Sequence, residues 1–159
     1  MAKSLQIQER LDPHQIAPEL IKPLLELSAK IAGCGLESSL MDLVKLRASQ
    51  INGCAFCLHM HASHARKSGE AEMRLHVLPA WRESPLYTPR ERAALAWTEA
   101  LTLLAETQAP DDVYAEVALH FTEKERVALT MVIVTINGWN RVAVGFRRVH
   151  AVEDAHAAA

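Results

Sequence analysis

The ten residues Val127 to Ile136, VALTMVIVTI, constrain this chain more than any other stretch. Read at helical spacing from Arg126, the segment is apolar on nearly every side and is interrupted only by Thr130 and Thr135. A helix of that kind must be buried on all its faces. It has about half of the ~20 residues needed to span a bilayer. Its cover is therefore expected from the protein's own core, from neighbouring copies of the chain, or from both. No segment alternates with period two for long, so a sheet is not expected to supply that cover. The expected fold class is all-α, with about seven helices.

The chain has 159 residues, enough for one compact domain with its own core. We read residues 1–159 as a single domain with flexible ends at 1–12 and 150–159. Half of the residues are hydrophobic and 23% are charged, as in ordinary soluble proteins. A formal net charge of −2 gives no reason to expect a nucleic-acid partner. The start, MAKSLQIQER, lacks the apolar core of a signal peptide. No membrane association is expected, and a cytoplasmic location follows by default.

Helix punctuation is frequent. Asp12-Pro13 has the form of a cap followed by a first-turn proline. Pro18 and Pro23 disturb a first helix whose Leu20, Leu24, Leu27 and Ile31 keep helical spacing, and Gly33-Cys34-Gly35 ends it. A second helix is expected over about Ser38 to Ile51, closed by Asn52-Gly53. A third starts near Cys54 and runs to about Lys67, and a short one follows from Glu70 to Pro79. Thr88-Pro89-Arg90-Glu91 and Thr122-Glu123-Lys124-Glu125 both fit a capping box leading into an apolar run. The triplet Ile51-Asn52-Gly53 recurs as Ile136-Asn137-Gly138, which suggests a helical hairpin used twice.

The chemistry concentrates in GCAFCLHMH, Gly53 to His61. Three cysteines, an odd count, with no signal peptide expected from the opening residues, argue against a disulfide-stapled secreted fold. Cys34, between two glycines, reads as a small structural residue at a turn. With Cys54 in the first turn of the third helix, free backbone N–H groups and the helix dipole favour a thiolate. Cys57 lies three residues on, on the same face, with Cβ atoms roughly 5–6 Å apart in regular helix. A disulfide needs a shorter separation, hence a local adjustment. His61, one turn beyond Cys57, is placed to take a thiol proton. His64 extends the line, while His59 points elsewhere. A reactive thiol, a second thiol to resolve it and a base are the minimum equipment for reducing a peroxide. Spacing alone leaves two alternatives open: part of a zinc site, which needs four ligands, or an inert helix start.

A longer pattern surrounds these residues. Asp42 to Glu70, DLVKLRASQINGCAFCLHMHASHARKSGE, resembles the core of the AhpD-like alkylhydroperoxidase and carboxymuconolactone decarboxylase family. The similarity continues through RLHVLPAWRESPLYTPRERAALAWTEALT and LTMVIVTINGWNR, and covers roughly residues 18 to 145. The resemblance implies an all-helical protein assembled as homotrimers or homohexamers, with a peroxidase-type dithiol site. Cys57 would attack the hydroperoxide, Cys54 would resolve, and a dithiol of lipoyl type would be the reductant. Asp42 takes the place of a glutamate that works with His61 in a proton relay. Phe56 stands where alkylhydroperoxidase D itself has a histidine, and many broader members have an aromatic residue there. No cofactor or metal is expected for such a cycle. The decarboxylase branch supplies the alternative of a cofactor-independent lyase, for which Arg47 could anchor a carboxylate or else form a structural ion pair. A non-enzymatic redox-sensing or metal-binding module is the third reading.

Overall fold

The computed structural model describes residues 7–151. Nine α-helices and one 3-10 turn account for its regular structure, and the described residues contain no strand. The helices are α1 (Pro13–Ile16), α2 (Pro18–Ala32), α3 (Ser38–Ile51), α4 (Ala55–Lys67), α5 (Glu72–Val77), α6 (Pro89–Thr102), α7 (Leu104–Thr107), α8 (Asp111–His120) and α9 (Glu123–Phe146), with the 3-10 turn at Leu78–Ala80. The all-α expectation holds. Two elements beyond the expected seven are single turns of four residues, α1 and α7. Proline produces the first of them. Asp12 caps α1 by accepting from the His14 amide at 2.9 Å, and Pro18 then obliges Ala17 to leave the helical region before α2 begins. Pro23 does not break α2, which runs through it.

Both expected capping boxes form. Thr88 and Glu91 start α6, and Thr122 and Glu125 start α9. The two starts are tied together, because Arg90 donates to Glu125 at 2.6 Å and also pairs with Glu37 before α3. The Thr122 amide and Arg90 hold the Glu125 carboxyl well below its usual range, at about 2.

Helix α9 is the 24-residue element built on the apolar stretch. Its length and composition would suffice to cross a membrane, yet it packs against α2, α3, α6 and α8. Leu129, Val132 and Ile133 enter a core shared with Val44 of α3, Ala94 of α6 and Val117 of α8. A second core lies on the other side of α3, where Leu43 and Leu46 meet Leu78, Trp81 and Leu95. Within the single chain the helix is covered on one side, and Val127 and Val134 stay 65% and 50% exposed.

The two Ile-Asn-Gly triplets do not fold alike. At the first, Asn52 closes α3 and Gly53 takes φ of +65°, a left-handed conformation that glycine adopts without strain. The second lies inside α9, which continues without a break. Asn137 there donates back to the Ile133 carbonyl, and Leu24 of α2 packs over Gly138. The second hairpin suggested by the echo is therefore absent.

The ends expected to be flexible lie partly outside the described residues, at 1–6 and 152–159. Within the rest, the Arg10 amide donates to the Phe146 carbonyl at 3.0 Å and Glu9 accepts from the Val149 amide.

Candidate active site at the CxxC turn

The turn between α3 and α4 places the dithiol. Cys54 stands one position before α4, as its N-cap with extended backbone, and not inside the first turn. That non-helical residue supplies the adjustment a three-residue disulfide needs. Cys54 and Cys57 are joined by a disulfide with Cα atoms 5.3 Å apart, and the Cys57 amide donates to the Cys54 sulfur at 3.2 Å. Both cysteines are buried, 1% and 2% exposed, against Ala48 of α3 and Ile136 and Ala143 of α9.

A polar lattice ties this turn to α9. Asn52 donates to both Asn137 and Asn140, each at 2.9 Å, and Asn140 donates on to Ser49 at 3.0 Å. Asn137 donates to Thr102 of α6, and Arg141 donates to Asn137. The turn carrying the sulfurs is thus fastened to α9 directly and to α6 through Asn137. The repeated triplet was the one sequence signal for this lattice, although it had suggested a repeat and not a contact.

Beside the disulfide lies a cavity of about 350 Å³. Cys57 lines it and Cys54 does not. His61, Phe56 and Met60 come to its wall from α4, Lys45 from α3, Ile31 from α2, and Ile136 and Trp139 from α9. Leu11 and His14 close it from the N-terminal segment, and His14 stacks on Trp139 with ring centroids 6.1 Å apart. Burial, reinforced by the Lys45 charge and then by His64, pushes His61 down to about 4. His61 is consequently neutral near pH 7, the form that accepts a proton.

Three of the four expected site residues meet here: Cys54, Cys57 and His61. Asp42 does not join His61. Its buried carboxylate pairs with Nδ1 of the exposed His64 at 2.9 Å, one turn further along α4. The relay expected between Asp42 and His61 is therefore not a direct contact. His59 points away, as expected, and stacks on His150. Arg47 is engaged with Glu99 at 2.8 Å and with Gln50, in an ion pair that also takes in Trp81 and Arg82. Lys45 was not anticipated. Its one available signal was a position three residues after Asp42 on the same helix, which places it on a related face. Among the described residues, no group of three or more His, Cys, Asp or Glu side chains is disposed to hold a metal ion.

Fold and site together define a class: an all-α protein carrying a buried CxxC disulfide and a neutral histidine at the wall of an apolar cavity. The sequence model of the carboxymuconolactone decarboxylase family matches residues 18–100, and the chain belongs to this AhpD-like family. It is 39% identical over 138 residues to the uncharacterized protein YdfG of Bacillus subtilis, covering 87% of this chain and 94% of that one. A crystal structure of a protein of unknown function from Agrobacterium tumefaciens, named as an AhpD candidate for antioxidant defence, superposes with a TM-score of 0.90 at 45% identity. That match covers 92% of this chain and all of the other. An uncharacterized peroxidase-related protein from a Silicibacter species shares the fold alone, with a TM-score of 0.75 at 19% identity over 86% of this chain and 72% of its own.

Proposed function

We infer that this protein is a thiol-dependent peroxidase that reduces hydrogen peroxide or organic hydroperoxides, with a role in antioxidant defence. The observation that carries the reading is Cys57, paired with Cys54 and facing the same cavity as neutral His61. His61 takes the Cys57 thiol proton, and the thiolate attacks the distal oxygen of the hydroperoxide. The O–O bond breaks, Cys57 becomes a sulfenic acid, and the alkoxide leaves as the alcohol after receiving the proton from His61. The Cys54 thiol then displaces water from the sulfenic acid to form the disulfide. An external dithiol of lipoyl type restores both thiols by exchange and leaves as its own disulfide.

The assignment of attack to Cys57 rests on its place at the cavity wall, even though Cys54 holds the helix N-terminus. Asp42 serves through His64, at the solvent edge of the same helix face. The working form is a homo-oligomer, a trimer or hexamer. Leu20, 73% exposed on α2, adds to the exposed apolar side chains of α9 that such an assembly would cover. The setting is cytoplasmic, where reduced dithiol partners are kept available.

The test is hydroperoxide consumption by the reduced protein with a dithiol reductant, repeated with Cys57→Ser. Loss of consumption is expected. Equal rates for the two proteins would overturn the assignment.

A further inference from the structure

Among the described residues, two cations at the cavity wall have no carboxylate partner. Lys45 is half-buried, and its charge is felt by His61. Arg148, an exposed residue that also lines the cavity, has its guanidinium carbon 4.6 Å from the centre of the Phe56 ring. The same cavity also carries two carboxylates, Glu9 and Asp12. Asp12 accepts from the His14 amide and Glu9 from the Val149 amide. Elsewhere in the fold, cations such as Arg47, Arg74 and Arg90 meet glutamates directly. Lys45 is a half-buried residue on a mostly apolar lining, and an anionic ligand would complement its charge. A volume of about 350 Å³ suits a small organic molecule, and the apolar lining favours a hydrocarbon body.

We propose that the cavity selects hydroperoxides that carry a carboxylate on an apolar body, with Lys45 and Arg148 holding the carboxylate and the apolar wall holding the body. The proposal rests on the peroxidase reading of the same site and narrows its substrate class. A role for Lys45 in stabilising the Cys57 thiolate alone would treat charged and neutral ligands equally.

A binding experiment needs no turnover. The oxidised protein is titrated calorimetrically with 4-isopropylbenzoate and with the neutral 4-isopropylbenzamide. The acid is expected to bind about tenfold more tightly or better, the size of one charge-assisted hydrogen bond. The preference should fall to within about twofold in the Lys45→Met/Arg148→Gln double variant, whose fold is checked by circular dichroism and urea unfolding. Equal affinities, no binding of the acid, or a preference that survives the double variant would each overturn the proposal. Turnover then separates the two readings. The carboxylated substrate, 4-carboxycumene hydroperoxide, should exceed cumene hydroperoxide in kcat/KM by a similar factor. Equal kcat/KM values overturn the carboxylate site and leave the peroxidase standing. Acid-selective binding without consumption of either hydroperoxide supports the anion site and overturns the peroxidase.

Discussion

Asn52 and Asn137 are hydrogen-bonded to each other, Nδ2 to Oδ1 at 2.9 Å, across 85 residues of chain. The same amide of Asn52 reaches Oδ1 of Asn140 at 2.9 Å. One residue at the end of α3 therefore fastens the cysteine turn to the longest helix of the fold.

Removing that fastening has a cost that can be measured. In Asn52→Ala, Asn140 Oδ1 loses its donor in a position 1% exposed, whereas Asn137 Oδ1 keeps Arg141. A buried acceptor left unpaired costs about 1–3 kcal/mol. Urea unfolding of the disulfide-bonded protein should show a loss of that size with an unchanged m-value, and a loss under about 0.5 kcal/mol would refute the structural role.

The two cysteines should fail differently. Without Cys54 nothing condenses with the sulfenic acid that forms at Cys57. Cys54→Ser is expected to consume about one equivalent of hydroperoxide per chain and stop, with one oxygen added at Cys57 in the intact-mass spectrum. Sustained turnover would show that resolution does not depend on Cys54.

Substituting His61 should slow the oxidation step itself. His61→Gln removes the neutral base at the cavity wall, and general-base contributions of this kind are about 10²–10⁴-fold. Stopped-flow oxidation of the reduced protein at pH 7 should slow by about a hundredfold or more. An unchanged rate would remove His61 from the mechanism.

The same histidine links folding to pH. Its folded value of about 4 lies below the ordinary 6.5, so the unfolded chain binds the extra proton between those values. This contribution favours the folded state fully above about pH 6.5 and is lost as pH falls toward about 4. Urea midpoints of the wild type should drop more steeply across that window than those of His61→Gln, and parallel curves would contradict the burial argument.

His64 should matter more to stability than its exposure suggests. Its side chain is 57% exposed, but its partner Asp42 is 4% exposed. His64→Leu leaves that carboxylate without the imidazole, with an expected loss of about 1–3 kcal/mol against under 0.5 for an ordinary surface change. Asp42→Asn in the His64→Leu background should recover part of the loss, since a neutral amide is cheaper to bury unpaired. Additive costs in the double-mutant cycle would mean that the two residues do not interact.

Local chemistry made much of this protein legible from its residues. Ser38 to Ile51 bounds α3 because Asn52-Gly53 stops it, and the two capping boxes mark α6 and α9 because each satisfies its own first-turn amides. The spacing of Cys54, Cys57 and His61 likewise carried the candidate chemistry, since neighbours on one turn are set by helix geometry alone. Longer-range pairing was decided by packing. Asp42 went to His64 and not His61 because the crossing of α3 and α4 determines which turn faces the carboxylate. Gly138 stayed helical because Leu24 and the Asn137 side chain support it, whereas the same triplet at Gly53 turns the chain. The cavity belongs to no single segment. Five parts of the chain, the N-terminal segment with α2, α3, α4 and α9, meet around it, and that enclosure is what desolvates His61 and brings Lys45 and Arg148 to the same cavity.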